Sequence, residues 1–123
     1  MEPITLQIGA APPTANLIWR NGRGHSYLSP KAAAFYEVVG YTVAGRRIPS
    51  EWTAVDVDII VRTKQGRGDV DNRIKPVLDA LTRAHFWDDD RRVGRVSCQF
   101  ASPGKEETRV IVRPLASRFV DLD

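Results

Sequence analysis

Cysteine and histidine are almost missing from this chain. Cys98 is its one cysteine, and His25 and His85 are its only histidines in 123 residues. One cysteine excludes an internal disulfide, and two histidines leave a zinc site short of its usual ligands. Long apolar runs are missing too: no stretch approaches the roughly 20 apolar residues that span a bilayer. Neither a signal peptide nor an internal repeat is discernible. These absences predict a soluble, cytoplasmic protein without membrane association. Cys98, between Val96 and Phe100 in an alternating run, is expected to be a buried, reduced thiol. The length predicts one domain over residues 1–123, large enough for a core without staples, with a short tail over residues 114–123.

What the chain does have is an acidic stretch in a basic setting. Residues Gly66 to Asp90 hold six carboxylates, although the net charge is +3. Setting aside Asp69 to Asp90, with six acids and three bases, leaves 15 Lys or Arg against nine Asp or Glu. An acidic pocket in a basic surround suits a polyanion held by its backbone while one phosphate enters the pocket. Asp69 and Asp71 flank one residue where a helical pattern begins, and Asp88, Asp89 and Asp90 follow where it ends. Mg²⁺ and Mn²⁺ take hard oxygen ligands and keep several waters. Carboxylates packed together repel unless a cation relieves them. Two acidic clusters separated by one helix are therefore a candidate metal site. Lys75, four residues after Asp71 on the same helical face, offers an ammonium to relieve that repulsion and to stabilise charge on a pentacovalent phosphorus. The chemistry indicated is phosphodiester hydrolysis by metal-activated water.

A purely structural reading competes. Asp69 or Asp71 serves equally well as a helix N-cap, Lys75 and Asp79 as an exposed i,i+4 pair, and Asp88 to Asp90 as a solvated turn. Two other motifs are rejected. A calcium loop starting at Asp69 needs Gly at its sixth position and Glu at its twelfth, where this chain has Ile74 and Ala80. A haloacid-dehalogenase-type nucleophile follows a buried strand, whereas Asp69 follows Gln65-Gly66-Arg67-Gly68.

In chain order, Ile4, Leu6 and Ile8 predict a strand over residues 3–9. Ala10 to Ser29 reads as a long connection containing Pro12, Pro13, Gly22 and Gly24. Its runs Trp19-Arg20-Asn21 and Arg23-Gly24-His25 bring cations and aromatic faces to a phosphate backbone or unstacked base. Ser29 as N-cap and Pro30 as first residue open a helix over Lys31 to Ala44. Phe35, Val38, Val39 and Thr42 face inward, Gly40 weakens the helix by up to about 1 kcal/mol, and Gly45 stops it. Thr53 to Thr63 is the clearest strand, its core face Val55, Val57, Ile59 and Val61. Asp56 and Asp58 on its other face are spaced like a metal pair, but exposed acids opposite basic side chains on a neighbouring strand are the preferred reading. Lys64 to Gly68 makes a flexible basic approach to the acids.

A second helix over Asn72 to Ala84 carries Ile74, Val77, Leu78, Leu81 and His85 on one stripe. Thirteen residues span about 20 Å, so Asp90 must return nearly that length in six residues to meet Asp71. A shorter helix or a second subunit relieves the strain. Val93 to Ala101 and Thr108 to Arg113 are expected to pair as a hairpin. The tail residues Leu115, Phe119, Val120 and Leu122 are expected to dock on their own domain or on a partner. The order strand, helix, strand, helix, strand, strand predicts an α/β (α+β) domain with a mixed sheet of about four strands packed by two helices.

Asp69-x-Asp71-Asn72-x-x-Lys75, Leu78-Asp79-Ala80-Leu81, Phe86-Trp87-x-x-Asp90 and Val93, with Pro12-Pro13-Thr14-x-Asn16 and Tyr27-x-Ser29 upstream, resemble the RusA-type Holliday junction resolvases over most of residues 1 to 100. The resemblance implies a Mg²⁺- or Mn²⁺-dependent endodeoxyribonuclease, bacterial or phage-encoded, that acts in DNA recombination and repair. It further implies a homodimer whose two sites nick symmetry-related strands of a four-way junction. Asp69, Asp71 and Asp90 are then the metal-binding catalytic carboxylates, Lys75 the assisting base or cation, and Asp89 the acid that can exchange roles with Asp90. Arg20, Arg23, Lys64, Arg67 and Arg73 are the expected DNA contacts. The chain departs from the family pattern at Pro76, directly after the lysine, and at the third acid, Asp88. A proline inside a helix removes a hydrogen bond and clashes with the turn before it, so the regular helix starts near Lys75 or its first turn bends. Two alternatives stand beside this expectation: a non-catalytic binder of branched or single-stranded DNA, and a flap or general phosphodiesterase.

Overall fold

The computed structural model describes residues 2–22 and 25–123. The chain forms β1 (Ile4–Ile8), β2 (Trp19–Gly22), β3 (His25–Leu28), α1 (Pro30–Val43), β4 (Ala54–Arg62), α2 (Ile74–Arg83), β5 (Val93–Phe100) and β6 (Glu107–Leu115). One mixed sheet has the strand order β1-β6-β4-β5. β4 runs parallel to β5 and antiparallel to β6, which is antiparallel to β1. This is the expected α/β architecture of four sheet strands and two helices.

Alternation along β4 sets its two faces. Val55, Val57, Ile59 and Val61 are buried with Leu6 and Ile8 of β1 and Val110 and Val112 of β6. Phe35, Val39 and Val43 of α1 and Val77, Ala80 and Leu81 of α2 close the same core. Each large side chain so buried contributes on the order of 1.5–3 kcal/mol. On the opposite face Asp56 accepts a hydrogen bond from Arg95 of β5 at 3.1 Å, and Asp58 accepts from Arg113 of β6 at 2.6 Å. These acids are cross-strand partners of bases, as preferred over a metal pair.

α1 begins as its sequence dictates: the Ser29 hydroxyl accepts from Ala32 N–H at 3.2 Å and Pro30 is its first residue. It ends at Val43, where Ala44 (φ 50°) and Gly45 (φ 79°) turn left-handed. Its buried face is Ala32, Phe35, Val39 and Val43, with Val38 and Thr42 half-buried.

Three expectations about the elements are corrected. Residues 10–29 are not a plain connection: Ala15–Leu17 forms a 3-10 turn, and β2 and β3 pair from Trp19↔Leu28 to Gly22↔His25. Ile18, 1% exposed, anchors this hairpin, and its carbonyl accepts from Ser29 N–H at 2.7 Å.

Second, β5 and β6 are not a hairpin, because β4 lies between them. Their connection crosses the end of β4, with Ala101 N–H on the Val61 carbonyl at 2.9 Å and Gly104 N–H on the Thr63 carbonyl at 3.0 Å. Arg62 Nε also donates to the Ser102 carbonyl at 3.2 Å. The central strand thus satisfies both edges while α2 supplies the crossover that parallel neighbours need.

Third, α2 is ten residues long, preceded by a 3-10 turn at Val70–Arg73. Pro76 is therefore its third residue, where an N–H has no intrahelical acceptor and none is lost. His85 leaves the apolar stripe altogether, exposed at φ 59°.

Cys98 is half-buried rather than buried, and desolvation pushes its thiol pKa up. The tail folds over Gly94, where an added Cβ would stand 3.0 Å from both Arg118 Cα and a Leu115 methyl. Beyond it Phe119, Val120 and Leu122 are exposed. No helix among the described residues is long and apolar enough to cross a membrane.

Candidate functional site

β4 delivers the chain to the loop Lys64 to Gly68. Gly66 and Gly68 take φ 64° and 96°, conformations open to glycine at little cost. Gly66 N–H donates to Thr63 Oγ1 at 2.7 Å, and a Cβ on Gly66 would press on Pro103 at 3.0 Å. The loop is thus a shaped turn, with Lys64 and Arg67 exposed on it. Asp69 occupies the cap position of the Val70–Arg73 turn, yet its side chain makes no capping hydrogen bond. Asp71 is exposed within the turn. Capping therefore does not account for Asp69.

Arg73 ends the turn and points inward. Its Nη1 donates to the Pro12 carbonyl, its guanidinium carbon lies 6.0 Å from the centre of the Phe100 ring, and its Nε is buried without a hydrogen-bond partner. It ties the acidic turn to the Pro12 loop and to β5. Arg73, an expected DNA contact, has this packing role as well, which spacing along the chain does not reveal because Phe100 stands far from it in sequence. The Arg20 side chain and all of Arg23 lie outside the described residues. Lys75, on the first turn of α2, pairs with Asp79 at 3.5 Å and makes no ion pair with Asp71. Arg83 lies 5.0 Å from the Tyr36 ring centre and 5.9 Å from that of Trp19, binding the β2–β3 hairpin to both helices.

The return from α2 is made by burial. His85 reverses the chain; Phe86 N–H donates to the Leu81 carbonyl and Ile48 N–H to the Phe86 carbonyl, both at 3.0 Å. The Phe86 and Trp87 rings stack edge to face at 5.6 Å, and Trp87 Nε1 donates to Thr82 Oγ1 at 2.7 Å. Three acids follow. Asp88 accepts from the Arg92 guanidinium at 2.6 and 3.0 Å, and that hydrogen bonding holds its pKa down at about 2. Asp89 caps the 3-10 turn Asp90–Arg92 by accepting from Arg91 N–H at 2.8 Å, which lowers its pKa, and its other oxygen is 3.3 Å from the Arg91 guanidinium.

A pattern emerges among the aspartates outside the tail. Asp56, Asp58, Asp79, Asp88 and Asp89 each have a basic partner. Asp69, Asp71 and Asp90 have none among the described residues.

These three do not converge within one chain. Asp69 and Asp71 follow the C-terminal end of β4, and Arg73 places their turn against Phe100 at the C-terminal end of β5. Asp90 precedes Val93, at the opposite end of β5. The eight residues of β5 put roughly 23 Å between those ends. Accordingly, no group of three or more His, Cys, Asp or Glu that could hold a metal ion occurs among the described residues. The donor chemistry nevertheless suits Mg²⁺, which commonly takes one or two carboxylates plus waters and substrate phosphate. The expected three-carboxylate set is not assembled by this chain alone.

Comparison with known proteins identifies the family. A model of the family described as endodeoxyribonuclease RusA covers residues 9–113. The crossover junction endodeoxyribonuclease rusA of Enterobacteria phage 82 is 33% identical over 85 residues, 67% of this chain and 70% of that protein. The RusA proteins of Escherichia coli K12 and of Shigella sonnei are 32% identical over 85 residues, with the same coverage. The chain belongs to the RusA endodeoxyribonuclease family.

Proposed function

We propose that this protein is a divalent-metal-dependent endodeoxyribonuclease that resolves Holliday junctions by paired nicks, in the cytoplasm of a bacterium or an infected host cell. The observation that carries the reading is that Asp69, Asp71 and Asp90, the carboxylates at the family's motif positions, are the aspartates outside the tail that have no basic partner among the described residues. Asp69 and Asp71 would hold Mg²⁺ or Mn²⁺ on their exposed turn. Such an ion, when bound, supplies an activated water and neutralises charge at phosphorus. Lys75, two-thirds exposed and only loosely paired, is free to turn towards the developing charge. Lys64 and Arg67 grip the strand through its phosphates.

Asp90, at the far end of the sheet, joins such a site from a second copy. A two-fold dimer exchanges the contribution reciprocally and makes two equivalent sites. A four-way junction offers them two symmetry-related strands. The exposed Phe119, Val120 and Leu122, beside the open edge of β5, offer apolar surface for that association.

The test uses a labelled four-way junction with and without Mg²⁺. Paired, symmetric nicks that need the ion are expected. Asp71→Asn and Asp90→Asn should each abolish cutting and retain junction binding. Co-expressed, the two variants should regain cutting, because one site of each mixed dimer then has a complete set of carboxylates. No regain would place the site within one chain. Equal cutting of flap and linear duplex would make the protein a general nuclease, and binding without any cutting would leave a non-catalytic binder.

A further inference from the structure

The groove between the Pro12 loop and α1 is used neither by the acids nor by the basic loop. A cavity of about 420 Å³ opens there, within the range of roughly 300–1,000 Å³ typical of small-molecule sites. Buried Pro13 and Phe35 and half-buried Val38 line it, together with Lys31, Arg73 and Glu106. Those three charged residues also line a second cavity of about 370 Å³, which includes Lys64. An apolar chamber and a cationic chamber thus share one charged wall. The Ala15–Leu17 turn beside the groove contacts the Val70–Arg73 turn, so both chambers stand next to the acidic turn.

The two chambers match the two halves of a nucleotide. A base has apolar faces and a polar edge, and suits a slot lined by Pro13, Phe35 and Val38. A phosphate suits Lys31 and Lys64, both exposed and without an ion-pair partner among the described residues. Glu106 is likewise unpaired there and is a carboxylate acceptor, the group that takes a hydrogen bond from an exocyclic amine on a base edge. We propose that the paired chambers seat one unstacked nucleotide of the DNA strand beside the cut. Its base enters the apolar chamber and donates an amino hydrogen to Glu106, while its phosphate rests on Lys31 and Lys64. The inference rests on the nuclease reading and deepens it. Extruding a base costs least where pairing is already interrupted, as at a branch point.

The test places 2-aminopurine, one position at a time, around the branch point of a synthetic junction bound by the Asp71→Asn protein. One position near the cut should brighten on binding as its base leaves the stack. Ala34→Phe, on the exposed helix surface lining the groove, fills the slot. It should abolish that rise and weaken junction binding about tenfold, the scale of losing one seated base. Its circular dichroism should match the parent's. Glu106→Gln, a surface change that does not load the fold, should flatten the preference among junctions differing only in the seated base. No brightening at any position, or brightening unaffected by both variants, overturns the proposal. Because the fluorescence needs no cutting, a wild-type protein that never nicks yet shows the blockable rise retains the chamber and loses only the nuclease reading.

Discussion

Replacing Thr82 by valine removes one oxygen and tests how the chain beyond α2 is held. Thr82 Oγ1 accepts from Trp87 Nε1 at 2.7 Å and donates to the Leu78 carbonyl at 3.0 Å. Trp87 is 1% exposed, so its indole N–H gains no water when the hydroxyl is lost. Valine keeps the branched shape and nearly the same helix propensity, which isolates the hydrogen bond. Leaving a buried donor unmade costs about 1–3 kcal/mol. For a chain of this size each kcal/mol lowers Tm by about 3–4 °C, so the expected loss is on the order of 3–12 °C. Thr82→Ser keeps the acceptor and should lose less than about 0.8 kcal/mol for one methyl of a half-buried residue. Scanning calorimetry measures both variants, and junction cutting by the valine protein reports whether Asp90, three residues beyond Trp87, is displaced with it. A valine variant melting within about 1 °C of the parent would refute the argument, since a satisfied indole cannot be lost so cheaply.

The acid side of the stability curve tests the open face of the sheet. The Ser97 hydroxyl, and then Arg113, hold the Asp58 pKa below its usual 3.8, so this carboxylate contributes stability that is full above that value and fades as pH falls below it. Asp58→Asn should lower the urea midpoint at neutral pH and flatten its decline between about pH 4 and 2; an unchanged decline would remove Asp58 from the account. Arg67, exposed on the basic loop and without an ion-pair partner among the described residues, should act through phosphate alone. Arg67→Ala should weaken binding to all junction sequences alike and reduce the slope of log affinity against log salt by about one, as read by gel shift across a salt series.

How far the sequence could be read depended on the range of the interactions involved. Ser29-Pro30 opens α1 because a cap and a fixed φ act within four residues, and the alternation of Val55, Val57, Ile59 and Val61 names the core face because a strand's period is local. The Asp69, Asp71 and Lys75 motif was legible for the same reason. The β2–β3 hairpin was missed because the prolines and glycines of residues 10–29 read as loop. His85 was placed on the apolar stripe because it continues that spacing, whereas its left-handed conformation follows from the burial of Phe86 and Trp87 beyond it.

By itself, the sequence determined which faces are apolar and which residues are candidates for chemistry, since residue type and spacing set both. Only the tertiary structure decided who neighbours whom. It put β4 between β5 and β6, gave Asp88 and Asp89 to arginines while leaving Asp90 without a basic partner among the described residues, and set Asp90 at the opposite end of the sheet from Asp71. The reason is physical: a helix crossover between parallel strands carries the chain from one end of the sheet to the other, so acids that lie close in sequence on either side of α2 are held far apart in one molecule.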